Sequence, residues 1–241
     1  MAEQPPRVAR LLWDGNQWSG RGPRPALSLE RIVAEAIVIA DEEGIGAVSM
    51  QRVARQLGAA TMSLYRYVPS KDELVALMFD TTMSDPPDLS RHGWRAALEQ
   101  WSRESRQLYL RHPWMLAIGA NNRWMGPNEA AWGEAAIGAV TAAGLPPDTV
   151  ADIIFSVNAF VGGIVRLEID PTLGRDQTGH VGPALDPAMI ENYGRPERFP
   201  ALLAMLSADP GDDYGTRDLA ASVFEFGLGK LLDGIAAHLD S

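Results

Sequence analysis

The chain has 241 residues, which is enough for one sizeable core or for a small domain beside a larger one. Its formal net charge of -10 argues against a protein that coats nucleic acid with its whole surface, and the lack of cysteine excludes disulfides and thiolate metal sites. The amino terminus has no apolar signal core, and the longest strongly apolar run, 153–165, is shorter than a bilayer-spanning helix. We therefore expect a cytoplasmic protein with no membrane partner.

Residues 1–27 are rich in proline, glycine and arginine, and we predict a flexible basic arm. Two interpretations stay open: a solvated tail, or an arm that touches phosphates or the minor groove of DNA. The first firm helix begins after Ser28, a plausible cap, and ends at the glycines 44 and 46. Apolar residues at helical spacing form its buried stripe: Ile32, Val33, Ala36, Ile37 and Ala40.

The stretch 49–71 predicts two short helices joined by a tight turn. Ser49 is placed to cap the first helix, and Gly58 supplies the left-handed backbone that follows it. The second helical segment, 61–67, has Leu64 as its apolar anchor. Two short helices joined in this way are typical of the helix-turn-helix, whose second helix enters a major groove.

The charge of this stretch differs from that of the rest of the chain. From Gly46 to Lys71 there is no acidic residue, whereas residues 86–241 carry 12 basic and 20 acidic residues. Gln51 and Arg66 are candidates for direct reading of bases, because amide and guanidinium groups pair well with purine edges. Arg55 is better explained as a solvated helix charge. A locally basic surface in an acidic chain indicates a polyanionic partner.

A capping box, residues 70–73, begins the next helix, which ends at the sequence Asp85-Pro86-Pro87. Lys71 lies in the first turn of this helix, where its ammonium and the free backbone N–H groups can clamp one phosphate. We place a DNA-binding domain at 28–85 and a second domain at 88–241.

Residues 28–74 resemble the DNA-binding domain of the TetR family of transcriptional repressors. The matching residues are Ser49-Met50, Val53-Ala54, Leu57-Gly58, Leu64-Tyr65, Tyr67 and Ser70-Lys71-Asp72-Glu73-Leu74. The resemblance implies a three-helix domain whose third helix lies in the major groove. It also implies a phosphate contact from Lys71 and base or backbone contacts from Gln51, Arg52, Thr61, Met62, Ser63, Tyr65 and Tyr67. Ala60 stands where the family often has a polar cap, so Thr61 either caps the helix or reads bases, and Tyr65 alternatively packs with its hydroxyl at the surface.

Residues 88–241 show only helical patterns, so the predicted fold is all-α. We expect helices near 90–111, from Pro127 onward, and at 149–168, 196–208 and 218–239, with a loop over 170–187. This region resembles the variable ligand-binding and dimerisation domain of the same family, a helical bundle.

Glycines in the helices predicted at 149–168 and 218–239 cost helical stability and are tolerated where another helix approaches closely. We predict a homodimer interface on the last helix, formed by Val223, Phe226, Gly227, Leu231 and Ile235. The alternative is loose packing within one subunit.

A small-molecule site in the second domain needs large apolar surfaces with a few polar groups. The residues that fit are Trp101, His112, Trp114, Met115, Trp124, Phe155, Asn158 and Phe160, although the same set suits an ordinary core. The four histidines have no metal-type spacing, so we expect neither a metal nor another cofactor.

These observations predict a homodimeric repressor that binds palindromic double-stranded operator DNA and is released by a small-molecule inducer. A DNA-binding regulator without an inducer, either activating or architectural, stays open. An enzyme is disfavoured because the chain has no nucleophile elbow, phosphate-cradling loop or HExxH motif.

Overall fold

The computed structural model describes residues 7–14, 27–119, 123–169, 187–194, 196–206 and 219–239. All regular structure in these ranges is helical, which confirms the predicted all-α fold. The α-helices are α1 Arg7–Trp13, α2 Leu29–Glu43, α3 Met50–Gln56, α4 Thr61–Leu64, α5 Lys71–Thr82, α6 Trp94–Arg111, α7 Trp114–Ile118, α8 Pro127–Thr141, α9 Pro147–Ile169, α10 Pro187–Tyr193, α11 Pro200–Leu206 and α12 Leu219–Leu239.

The chain divides into two compact units, residues 1–162 and 163–241, and the division falls within α9. The sequence places a domain boundary earlier, at 85–88, where two prolines end α5. In the structure α5 packs against α8, so the helix-turn-helix and the first helices of the second predicted domain share one packed unit.

Three serine caps set the helices of the helix-turn-helix region, as predicted. Ser28, Ser49 and Ser70 each accept a hydrogen bond from the backbone N–H three residues later, at 3.3, 3.1 and 3.2 Å. Gly58 has φ of 64°, the left-handed backbone expected after α3. α2 packs against α3 and α5, and the fully buried core residues here include Ile32, Val53, Leu64, Val68 and Leu74.

The predicted flexible arm needs correction over residues 7–13, which form α1. This helix packs against α5 and buries Leu12. The indole N–H of Trp13 donates to the carbonyl oxygen of Met125 at 3.0 Å. A seven-residue helix is not stable alone, so these distant contacts are what order it. Residues 1–6 and 15–26 of the predicted arm lie outside the described residues.

α4 is shorter than the predicted segment 61–67. The backbone N–H groups of Tyr67 and Val68 both bond to the carbonyl of Leu64, each at 2.9 Å, and the chain turns there. Ala60 occupies the cap position without a side-chain bond, and Thr61 is the first helical residue. Thr61 is therefore not the cap of this helix.

Helices of the remaining chain lie close to their predicted ranges. α6 begins at Trp94 rather than near Ser90, and Pro127 begins α8 as predicted. A 3-10 turn, Pro196–Arg198, and α11 cover most of the helix predicted over 196–208. The loop predicted over 170–187 lies outside the described residues except for Pro187, which is not in a loop but begins α10.

α9 has two contrasting faces. Val150, Ile153, Val157, Val161 and Val165 are buried at helical spacing. The side chain of Phe155, in contrast, is 73% exposed. By length and composition alone, this 23-residue helix is long and apolar enough to cross a bilayer. Its most apolar stretch is 28% buried. Much of the apolar surface of α9 is therefore exposed in the single chain.

α12 repeats this arrangement. Ala220, Phe224, Leu228 and Leu232 are buried at four-residue intervals. Of the residues predicted at a dimer interface, Val223 and Phe226 are exposed, and Gly227, Leu231 and Ile235 are half-buried beside them.

Candidate functional site

A recess of about 620 Å³ opens where α3, α4 and α5 meet. Its lining includes four of the nine predicted DNA-contacting residues: Gln51, Thr61, Tyr65 and Lys71. Ser49, Met50, Pro69 and Ser70 complete the lining. The first turns of α3 and α5 thus lie beside the short α4.

The recess has a chemistry suited to an anion. α5 begins here with free backbone N–H groups, and the Lys71 side chain is exposed next to them. Asp72 and Glu73 follow in the same turn and moderate its positive charge. Met62, at 75% exposed, stands on α4 with no core role, so this helix presents side chains outward.

Arg52 and Tyr67, also predicted to contact DNA, have partners inside the domain. The Arg52 guanidinium donates to Glu43 Oε1 at 2.5 Å and to Gln56 Oε1 at 2.6 Å. The Tyr67 hydroxyl donates to the carbonyl oxygen of Leu27 at 3.0 Å, just before α2. These hydrogen bonds hold the side chains of Arg52 and Tyr67 in place within the domain. Ser63 is half-buried, and Arg66 is exposed.

Asp41 ties α2 to the junction between α6 and α7. One carboxylate oxygen, Oδ1, lies 2.8 Å from His112 Nδ1 and accepts a hydrogen bond from the Trp114 indole N–H at 2.7 Å. Since α2 is the first helix of the helix-turn-helix region, this oxygen joins that region to the helices that follow it.

Asp80 makes a second tie, from α5 to α8. Its carboxylate is buried and accepts hydrogen bonds from the backbone N–H groups of Asn128 and Glu129 at 2.9 and 3.0 Å. The Asn128 amide donates in return to the Asp80 carbonyl oxygen at 3.0 Å. A side-chain carbon at Gly126 would collide with the Asp80 carboxyl, so glycine is required there. Asp80 therefore caps a helix that begins 47 residues away.

Burial raises the pKa of the Asp80 carboxyl above its ordinary value of 3.8, and this effect outweighs the two backbone hydrogen bonds, which lower it. The nearby carboxylate of Glu129 raises the pKa further, and the Arg123 guanidinium lowers it. The cap of α8 thus depends on the Asp80 carboxylate, whose charged form is disfavoured by burial.

Arg123 closes the same joint. Its guanidinium donates to both carboxylate oxygens of Glu129, at 2.6 and 2.7 Å. The same group lies over the ring of Phe79, 3.4 Å from the ring centre. A bidentate pair stacked on an aromatic ring holds the start of α8 against α5.

The eight residues predicted to bind a ligand lie in different surroundings. Trp101 and Met115 are buried, and the Trp101 indole N–H donates to the carbonyl oxygen of Trp132 at 3.1 Å. His112 and Trp114 hold Asp41. The other four are exposed or half-buried: Trp124, Phe155, Asn158 and Phe160. The structure thus distributes these residues between core packing, the contact with Asp41 and exposed surface, and their role in ligand binding stays a prediction.

A different cavity, of about 680 Å³, lies between α2, α5, α6 and α8. Its wall contains one residue of the predicted set, His112. The others are Ile37, Thr81, Thr82, Ser84, Asp85, Glu104, Gln107, Leu108, Arg111 and Trp132. Four separate helices build this wall, so no local motif in the sequence marks it. Within the described ranges, no group of three histidines and acidic residues is placed to hold a metal.

Comparison with known protein families identifies the family to which the chain belongs. Residues 32–78 match the model of the bacterial regulatory proteins of the tetR family, and residues 86–239 match the tetracyclin repressor-like C-terminal domain. The chain belongs to the TetR family. The resemblance seen in the sequence is confirmed, and α9 lies wholly inside the matched C-terminal domain of the TetR family.

Among characterised TetR-family relatives, the HTH-type transcriptional repressor DrrR1 of Streptomyces coeruleorubidus is 36% identical over 235 residues, covering 95% of this chain and 84% of that protein. The tetracycline repressor protein class E of Escherichia coli is 25% identical and covers 89% of this chain and 93% of its own. The structure of ActR from Streptomyces coelicolor in complex with (S)-DNPA is similar, with a TM-score of 0.69 and 27% identity over 89% of this chain and 99% of that chain.

Members of the TetR family are DNA-binding transcription factors and not enzymes. The chain is thus a TetR-family transcriptional repressor.

Proposed function

We propose that the chain is a ligand-responsive repressor that works in the cytoplasm, binding palindromic operator DNA as a homodimer and leaving it when a small molecule binds. The observation that carries this proposal is the recess between α3, α4 and α5, which joins an outward-facing α4 to a helix start bearing Lys71.

In the proposed complex α4 enters the major groove. Gln51, Thr61, Met62, Ser63, Tyr65 and Arg66 face bases or sugar-phosphate, and Lys71 holds a phosphate with the first turn of α5. Arg52 and Tyr67 act mainly through Glu43 and Leu27, which fix α3 and the turn after α4 in place.

The exposed apolar faces of α9 and α12 support a homodimer. Phe155 and Phe226 are 73% and 69% exposed in the single chain, and burying such a side chain stabilises by about 1.5–3 kcal/mol. Side-chain carbons at Gly163, Gly229 and Gly234 would meet open space, so a second copy has room to approach closely. Two copies related by a two-fold axis suit a palindromic site.

The two carboxylate ties support a response to ligand. Asp41 and Asp80 connect α2 and α5 to α6, α7 and α8, so a change in those helices reaches the helix-turn-helix region through direct hydrogen bonds. ActR, 27% identical, is known in complex with (S)-DNPA, a small molecule. A ligand of this chain must favour the released geometry in free energy, or it will shift nothing.

Selection of bound sequences from a random DNA pool tests the proposal first. We expect enrichment of a two-fold symmetric site. On that site Tyr65→Ala and Lys71→Ala should each weaken binding by about tenfold, and Lys71→Ala should also reduce the salt slope by about one.

Arg91→Ala is the matched control, because it removes an exposed cationic side chain that is not part of the recess lining. Its affinity should equal that of the wild type. Enriched DNA without two-fold symmetry, or wild-type binding by both recess variants, would refute the proposed interface.

A further inference from the structure

We propose that Glu43 withholds Arg52 from DNA, so that this one carboxylate limits how tightly the helix-turn-helix region binds DNA of any sequence. The inference rests on the proposed operator binding and adds an autoinhibitory contact to it.

The surroundings of Arg52 set it apart from its neighbouring cations. Its side chain is 24% exposed, and both terminal nitrogens donate to acceptors inside the domain. Nη2 donates to Glu43 Oε1 at 2.5 Å, and Nη1 donates to Gln56 Oε1 at 2.6 Å. The other cations of the stretch 49–71 are exposed: Arg55, Arg66 and Lys71.

Glu43 and Arg52 each lie at the helix end that disfavours their charge. Glu43 is the last residue of α2, where the negative end of the helix dipole repels a carboxylate, and α2 has no basic residue in its last turn. Arg52 lies in the first turn of α3, where the dipole disfavours a cation. The stability of the two separate helices explains neither position, whereas the ion pair between them explains both.

Arg52 lies next to the recess between α3, α4 and α5. Ser49, Met50 and Gln51 line this recess, and Arg52, the next residue, is not part of the lining. In the proposed complex the phosphate backbone passes the recess, so the long side chain of Arg52 would reach a phosphate once it is released from Glu43. An arginine that neutralises a phosphate displaces counterions, which raises the affinity without regard to sequence.

The carboxylate charge decides this competition for the guanidinium. A phosphate must displace the bonds to both Glu43 and Gln56, so it gains only the difference between its own bonds and those two. A hydrogen bond between a guanidinium and a neutral amide is roughly half as strong as one to a carboxylate. Removing the charge of Glu43 therefore shifts Arg52 toward the phosphate.

Glu43→Gln tests the contact in the full-length protein. Its affinity is measured over a range of salt concentrations for the DNA selected from the random pool and for a scrambled duplex of equal length. We expect the affinity for both duplexes to rise by about threefold. The salt slope should steepen by about one per subunit, because one more phosphate is neutralised. Loss of structure would lower the affinity instead.

Glu42→Gln is the matched control, because it removes the same charge from the adjacent exposed residue, whose side chain points in a different direction on the helix. Its salt slope should equal that of the wild type. The double variant Glu43→Gln/Arg52→Gln should also have the wild-type slope, since no guanidinium remains to be released. Arg52→Gln alone should keep the wild-type slope, because Arg52 does not contact a phosphate while Glu43 holds it.

An equal slope in Glu43→Gln and Glu42→Gln, or a gain that persists in the double variant, would overturn the autoinhibitory contact. A shallower slope in Arg52→Gln alone would overturn it too, because Arg52 would then contact a phosphate in the wild type. Wild-type binding separates the two proposals. If the wild type binds the selected DNA and Glu43→Gln behaves identically, the autoinhibitory contact fails and the repressor stands; if the wild type binds no DNA, the proposed function fails and this inference falls with it.

Discussion

Asp80 caps α8 because the residue at the local cap position is unable to do so. That position is Gly126, which has no side chain and leaves no room for one. The first N–H groups of a helix need acceptors, and a buried helix start without them is destabilised. A carboxylate from α5 fills that need, which makes the α5–α8 joint dependent on one residue.

Replacing Asp80 therefore tests the joint. We expect Asp80→Ala to lower the free energy of unfolding by about 1–2 kcal/mol, measured by urea denaturation at neutral pH, because the cap is lost. Asp80→Asn should cost less, since its amide oxygen still accepts from the backbone. An equal loss in both variants would show that charge, and not capping, holds the joint.

The raised pKa of Asp80 predicts that the difference in unfolding free energy between the wild type and Asp80→Asn depends on pH. A carboxyl whose folded pKa is raised contributes stability that is fully present below the unfolded pKa and is lost as the pH rises through the folded pKa. As the pH rises above 3.8, the ordinary pKa of the carboxyl, the free energy of unfolding of the wild type should therefore decline relative to that of Asp80→Asn. A difference between the two that stays constant with pH would contradict the raised pKa.

Part of the proposed DNA-binding surface was predictable residue by residue. Gln51, Thr61, Tyr65 and Lys71 do meet around one recess, because local helix signals fix their spacing. The internal partner of Tyr67 was not predictable, since Leu27 is 40 residues away in sequence. For the same reason no sequence motif indicated that Asp80 caps α8, since its partners Asn128 and Glu129 are 48 and 49 residues away.

At the scale of helices, local chemistry explains which boundaries were predicted. Ser28, Ser49 and Ser70 cap through bonds to residues three positions ahead, so the sequence itself contains the signal. α1 gave no such signal, because its order comes from packing on α5. α4 ends before the predicted residue 67, and in the turn that follows two backbone N–H groups share the carbonyl of Leu64.

α1 should accordingly depend on its one buried side chain. Leu12→Ala removes that side chain's packing, and we expect a loss of about 2 kcal/mol in the free energy of unfolding by urea denaturation. Arg10→Ala, on the exposed surface of the same helix, is the control and should change stability by less than about 0.5 kcal/mol. Equal stability of Leu12→Ala and the wild type would mean that α1 is not docked in solution.

For the whole molecule, the uncovered surfaces of α9 and α12 matter most. The sequence predicted an interface on one face of the last helix, formed by Val223, Phe226, Gly227, Leu231 and Ile235. The structure distinguishes the faces, because Phe224 is buried and Phe226, two residues later, is exposed.

Phe226→Glu should convert the proposed dimer to a monomer, because it would place a carboxylate in an apolar interface. Light scattering coupled to gel filtration measures the mass directly. Met62→Glu is the matched control: it alters an equally exposed apolar side chain on α4, so it should stay dimeric while losing DNA binding. A Phe226→Glu protein that keeps dimeric mass would exclude this face of α12.

The brevity of α4 limits how much sequence one subunit can inspect. Four residues rise about 6 Å along a helix axis, less than two base-pair steps. In the proposed homodimer, specificity within a genome must then come from the distance and symmetry between two such short readings. Inserting one base pair at the centre of the operator should thus harm recognition as severely as changing a contacted base.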